Sequence, residues 1–494
     1  MRTKLIALAA LSLGLAGCTT TSTDSEVATA DSPPTEAAAP APAGLQIESQ
    51  YYTLPNGLKV VLAREPSVPT ATVGVYYGIG FRIEPRNRTG FAHLFEHLMF
   101  QGSKHAPKGQ FIGSITNAGG VLNGSTRFDY TNYYQVVPSN ALESILWLEA
   151  DRMARPVINK EVLENQQGVV ANEVKVNVLN QPYGGWPWLD MPQVANVNWH
   201  NAHNFYGDLG DLQAATVEDA TQFFNSFYRP NNAVLIVAGD IDYDQTRAMV
   251  DRLFGSIPRG APVEFPDITE PRQTQEKLKV KQDALAPRPA FTAAWHVPPR
   301  GTPEWYAMGL LDQILVQGQD SRLYQKIVRE RAIAGGVDGG INIALGNMYN
   351  YNGPMIWTVA FVHDPTKSRE EILAALNEVI EGVRTTPVSA EELRRARTKL
   401  RADLYAEIDP ATRFGMVDLL AVGAMWENDP NWVNTLERGF AQVTPELLQK
   451  TAQEYLRPTN RSILIIEPGA AAQGAAAKTG ASKCSAFLPQ PSQP

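Results

Sequence analysis

Cysteine is nearly missing: Cys18 and Cys484 are the only two in 494 residues, so at most one bridge is available and a disulfide-built fold is excluded. Histidine is scarce as well, with seven in all, so any pair at regular spacing stands out. Long apolar runs are missing after the N-terminus, where nothing approaches the ~20 residues of a membrane-spanning helix. Positive charge is in deficit: 43 Lys and Arg against 51 Asp and Glu give a net charge of −8 and a pI near 5.5. That balance argues against nucleic acid as the main partner. What remains is a globular composition, 44% hydrophobic and 19% charged, in a chain long enough for about two to four domains.

The first residues address the chain to the cell envelope. Arg2 and Lys4 precede "LIALAALSLGLAG", an apolar run too short to span a bilayer comfortably. It ends in "LAGC", which resembles a bacterial lipoprotein cleavage site with Cys18 as the lipid attachment point. Loss of residues 1–17 removes Arg2 and Lys4 and takes the net charge from −8 to −10. Thr19, where an aspartate would signal inner-membrane retention, implies by the same resemblance the outer membrane. With Cys18 lipidated, Cys484 has no intrachain partner. The expectation is a periplasmic body held to the membrane through its lipid anchor only.

Residues 18–45, rich in Ala, Pro, Ser and Thr, read as a disordered spacer, and 469–494 as a low-complexity tail. Between them "YYTLPNGLKVVLARE" predicts strand, Asn-Gly turn and strand, and "ATVGVYYGIG" a further strand. Proline-dense sequence over 259–274 marks a linker, after which "EKLKVKQ" opens a new strand. The two bodies, 46–258 and 275–468, look like repeats. Arg229, Pro230 and Asn232 recur 228 residues later as Arg457, Pro458 and Asn460. Gln101-Gly102 recurs 216 residues later as Gln317-Gly318.

The richest stretch is "GFAHLFEHLMFQG", residues 90–102. Thr89 is placed to N-cap a helix and Gly102 to end it after three turns, with Phe91, Leu94, Leu98 and Met99 as the buried stripe. His93 and His97 then stand one above the other with Glu96 beside them. Imidazoles at i and i+4 reach one tetrahedral Zn²⁺ together, which favours half of a metal site over three unrelated side chains. At the 216-residue offset the counterparts are Gly309, Asp312 and Gln313, so the second copy keeps the helix and lacks the ligands. Catalytic zinc normally has three protein ligands. The next helix, "NKEVLENQQGVVANEVKVNVLNQP", offers Glu161, Glu164 and Glu173, and spacing alone does not choose among them.

H-x-x-E-H followed by a helix carrying "VVANE" is similar to the pitrilysin/insulinase family of zinc peptidases, which includes mitochondrial processing peptidase. The resemblance extends over "GGVLNGSTRFDYTNYY" and "FYRPNNAVLIVAGD" and covers residues 46–468. It implies an α+β fold of two homologous domains, each a mostly antiparallel sheet with helices packed on one side, forming one half of a clamshell. It also implies Glu173 as third ligand, 75 residues lying between it and His97. Gln166 replaces a glutamate frequent in the family; two turns before Glu173, it can hydrogen-bond behind the ligands but adds no charge.

The expected activity is that of a zinc endopeptidase, with one Zn²⁺ per chain and Glu96 moving the proton from water to the leaving amine. Asn123, Gly124, Ser125 and Thr126 would form the sheet edge along which a peptide or unfolded substrate pairs. A non-catalytic peptide-binding or assembly lipoprotein of the same fold is the competing reading. His200 and His203, in a segment whose Asn and Gly residues disfavour a rigid helix, are given no metal role. In "LYQKIVRERAIAGGVDGG", Arg329 and Arg331 can supply a family arginine, but Gly335 and Gly336 stand where its tyrosine belongs. The resemblance therefore implies a partner, a zinc-less homologous subunit in a heterodimer, with a homodimer as the alternative.

Overall fold

The computed structural model describes residues 44–343, 345–408 and 411–469. The signal segment, Cys18, residues 19–43 of the spacer and residues 470–494 of the tail, with Cys484, lie outside them. The first sheet contains β1 (Gln50–Thr53), β2 (Lys59–Arg64), β3 (Thr70–Tyr77), β4 (Val121–Thr126), β5 (Thr131–Pro138) and β6 (Ala233–Gly239). The second contains β7 (Lys277–Asp283), β8 (Ala290–His296), β9 (Asp338–Ile341), β10 (Ile356–Val362) and β11 (Arg461–Pro468). Their orders are β1-β2-β6-β3-β5-β4 and β7-β11-β8-β10-β9. Without β1 the two orders are the same. Each sheet is antiparallel except for one parallel pair, β2 with β6 and β7 with β11.

The repeated Arg-Pro-x-Asn has a local cause. In both copies the proline opens a tight turn just before the strand, Pro230–Asn232 and Pro458–Asn460. The asparagine amide then donates to a carbonyl at the end of the preceding helix, Phe227 O at 2.9 Å and Tyr455 O at 2.7 Å. An orphan helix-end acceptor is satisfied and the entry into β6 or β11 is fixed.

Each domain packs its own helices on one face of its sheet. In the first, α1 (Phe91–Leu98), α2 (Gln110–Asn117), α3 (Leu142–Ala154) and α4 (Lys160–Val174) belong to this set. Leu94, Phe95 and Leu98 meet Val60, Leu62, Val73, Leu235 and Val237 in one buried cluster. The opposite faces are covered reciprocally. Val61, Tyr76, Val234 and Ile236 pack with Met416, Val417 and Leu420 from the Phe414–Val422 helix of the second domain. Ala290, Ala294, Leu464 and Ile466 pack with Met191 and Ala195 of α5 (Asp190–Ala195) from the first. This double burial makes β6, "AVLIVAG", apolar throughout rather than alternating. Polar contacts cross the same boundary: Arg413 reaches the half-buried Glu65 carboxylate at 2.8 Å, and buried Tyr130 donates to Asp418 at 2.7 Å.

Candidate metal centre

Helix α1 is shorter than its sequence suggests, and its N-terminus is held differently. It runs from Phe91 to Leu98, two turns rather than three, and its N-cap is Gly90 in the left-handed region at φ +79. Thr89 is not the cap; its hydroxyl donates to Asp211 at 2.7 Å. Glu84 does the capping from outside, accepting from Gly90 N at 2.9 Å and Ala92 N at 2.5 Å. A carboxylate here meets the free N–H groups and positive end of the helix. Phe91, Leu94, Leu98 and Met99 form the buried stripe as expected, and the second helical turn presents His97 and Glu96 above His93.

Helix α4 begins where expected, with Asn159 accepting from Val162 N at 2.9 Å. Of its three glutamates, Glu161 and Glu164 face solvent, Glu164 lying 3.8 Å from Lys160. Only Glu173 reaches the histidines. His93 Nε2 and His97 Nε2 are 3.2 Å apart, and Glu173 Oε2 lies 3.7 Å from the first and 3.3 Å from the second. Among the described residues this is the one group of three His, Cys, Asp or Glu side chains able to hold a metal ion. Tetrahedral zinc with bonds of ~2.0–2.1 Å requires donor separations of about 3.3 Å, so the triangle fits.

The local electrostatics suit such a role. Burial pushes the His93 pKa down to about 3, helped by neighbouring His97. Burial also pulls on His97, but contact with Glu173 and the charges of Glu96 and Glu173 outweigh it and raise its pKa. Burial would raise Glu173, yet the two histidines and Tyr206 reverse this and lower it. Glu96 is raised, first by burial and then by Glu173, against the opposing hydrogen bond from Thr126. Gln166 is buried at 4% exposure, and its Nε2 donates to Asn165 Oδ1 at 2.8 Å.

The strand β4 is the edge of the first sheet and runs beside α1. A Cβ on Gly124 would come within 3.3 Å of Glu96 Cγ and 3.2 Å of the Phe100 ring, so glycine permits this approach. Thr126 is buried and its hydroxyl donates to Glu96 Oε2 at 2.8 Å. Asn123 and Ser125 alternate with them, Asn123 beside Tyr134 and Ser125 bonded to Asn132 Oδ1 at 2.5 Å.

The other expected residues are elsewhere. His200 lies on a single helical turn, Trp199–Ala202, with Nδ1 2.9 Å from Arg82 O. His203 stacks on Trp199 and approaches Glu84 at 3.5 Å, so it belongs to the device that holds the N-terminus of α1. Arg331 pairs with Glu378 at 3.4 Å, Arg329 lies over the Tyr324 ring, and a Cβ at Gly335 or Gly336 would meet open space. Sequence reasoning missed Glu84 and Tyr206, whose hydroxyl donates to Glu173 Oε1 at 2.9 Å. No periodicity marks either, because each acts across a fold contact.

The second repeat preserves the arrangement without the ligands. Met348 fills the space beside Gly309, where the first histidine would stand, and Gln313 donates to Asp403 at 2.8 Å. Asp312, the counterpart of Glu96, accepts from Trp357 Nε1 at 2.7 Å.

Comparison with known proteins gives the same division. The insulinase (peptidase family M16) profile matches residues 59–182, and the peptidase M16 inactive domain matches 214–400, together more than half of the chain. Zinc protease PqqE of Helicobacter pylori is 24% identical over 436 residues, 86% of this chain and 96% of that protein. The mitochondrial-processing peptidase subunit beta of Saccharomyces cerevisiae is 22% identical over 374 residues, 73% of this chain and 78% of that one. The periplasmic protease PqqL of Escherichia coli superposes with a TM-score of 0.69 at 17% identity, over 91% of this chain and 52% of PqqL.

Proposed function

The chain belongs to the insulinase (peptidase M16) family, and from that premise we propose that its first domain holds one Zn²⁺ on His93, His97 and Glu173 and hydrolyses peptide bonds in peptides or unfolded segments. The observation that carries this reading is the convergence of three donor atoms within 4.8 Å, with Glu96 on the same helix as two of them. Two imidazoles and a carboxylate are a catalytic donor set that leaves one position open. Zn²⁺ bound there supplies a Lewis acid that acidifies water and polarises the scissile carbonyl.

The chain's own residues do the rest. Burial keeps His93 neutral, the state in which an imidazole binds a metal. Thr126 occupies Glu96 Oε2, so Oε1 is free to take the proton of the attacking water and deliver it to the leaving amine. Substrate pairs along the β4 edge at Asn123, Gly124 and Ser125, where backbone bonding gives little sequence selectivity. Thr126, spent on Glu96, contributes its backbone alone.

The name of the periplasmic relative PqqL supports an envelope location, and lipidation at Cys18 completes that reading. PqqL is about twice as long as the stretch matched here, and the yeast relative is named as a subunit. Both support a partner, namely a zinc-less homologous subunit.

The test is zinc analysis combined with a fluorogenic peptide assay on wild type and Glu96→Gln. The variant should keep its zinc and lose activity by on the order of 10²–10⁴-fold. Wild-type cleavage by the variant, or a wild type without zinc, sinks the assignment.

A further inference from the structure

The Glu173 carboxylate is divided between two neighbours. Oε2 faces His97 and His93 at 3.3 and 3.7 Å, while Oε1 accepts from the Tyr206 hydroxyl at 2.9 Å. The direction of that bond follows from its partners: an ionised carboxylate only accepts, so the phenol supplies the hydrogen.

Tyr206 is itself fixed by the helix it serves. Its ring is 5% exposed and lies edge-on to His93, with centroids 5.2 Å apart. Its backbone presses on the start of α1: a Cβ on Gly90 would lie 2.4 Å from Tyr206 O. One contact thus sets both the histidine helix and the hydroxyl that engages the third ligand.

We propose that Tyr206 is a positioning residue that restrains Glu173 to one-oxygen ligation, an inference that rests on reading the cluster as a zinc site. A carboxylate with both oxygens free can chelate and fill the position that water needs. With Oε1 engaged by the hydroxyl, only Oε2 is presented.

The test is Tyr206→Phe, which keeps the ring and removes the hydroxyl. Zinc affinity is measured by chelator competition, the visible spectrum after Co²⁺ substitution, and the melting temperature of metal-free protein. Affinity should fall about 10–100-fold. The Co²⁺ bands should weaken towards a five-coordinate pattern, and the metal-free melting temperature should stay at the wild-type value. Unchanged affinity and spectrum overturn the proposal while leaving the zinc site intact. So does a loss of affinity that only tracks a lower melting temperature. A wild type that binds no zinc removes the metal reading itself, and this inference with it.

Discussion

Glu173 and Glu164 sit on one helix, nine residues apart, and their surroundings separate them completely. Glu164 is an exposed partner of Lys160, whereas Glu173 meets two imidazoles and a tyrosine hydroxyl. Glu173→Gln should therefore lose most bound zinc, because one of three ligands gives up its anionic donor. Glu164→Gln should retain it. Equal zinc content in purified wild type and Glu173→Gln would point to another third ligand. Asp312 makes a different prediction. Burial raises its pKa from 3.8 to about 6, against the hydrogen bonds from Trp357 and Gln317. The fold thus binds a proton more tightly than the unfolded chain, so this residue's contribution to stability falls as pH rises from about 4 to 6. Asn accepts from only one of these two donors, but it removes the buried charge, so Asp312→Asn should fare better at pH 7.5 than at pH 4, relative to wild type, by on the order of 1 kcal/mol. Urea unfolding at both values checks this, and an equal change at the two would deny the pKa shift. His93, Glu96 and His97 were legible because the helix period makes them neighbours. Glu173 needed the family resemblance, and Glu84 is visible only once folding brings it to the start of α1.

The edge strand and the histidine helix form one working unit. Their closeness depends on Gly124, whose missing side chain lets β4 lie against Glu96 and Phe100. Gly124→Val would direct methyl groups at the Glu96 side chain and displace it. A misplacement of ~1 Å in a catalytic group can cost 10²-fold, so kcat/KM should fall by about that factor with zinc content unchanged. Wild-type kinetics in this variant would show that β4 does not constrain Glu96. The strands and the Arg-Pro-x-Asn turns were readable because each depends on residues close in sequence. The length of α1 was not. Gly102 does adopt φ +111, yet the helix has ended at Leu98, and the cap comes from Glu84 rather than from adjacent Thr89.

At the scale of the molecule, each sheet owes one of its covers to the other domain. That exchange was hidden in the sequence, since α5 lies in a Gly-, Pro- and Trp-rich stretch with no helical stripe. With the central strands of both sheets buried on both faces, the two domains share core and their packing against each other is part of it. By the family resemblance such a body is one half of a clamshell whose second repeat lacks the tyrosine that would grip substrate. Arg331 is spent on Glu378, and Gly335 and Gly336 provide neither a hydroxyl nor a ring. The open space around both glycines leaves room for a side chain from elsewhere. A zinc-less homologous subunit facing the β4 edge would provide it; a second copy of this chain would face it with the same two glycines. Peptide cleavage by the purified chain should therefore be weak and rise at least tenfold when the homologous subunit is added, with a heterodimer appearing in sedimentation. Full activity from a strictly monomeric preparation would refute the partner requirement, and full activity from a homodimer would move the substrate grip away from the missing tyrosine.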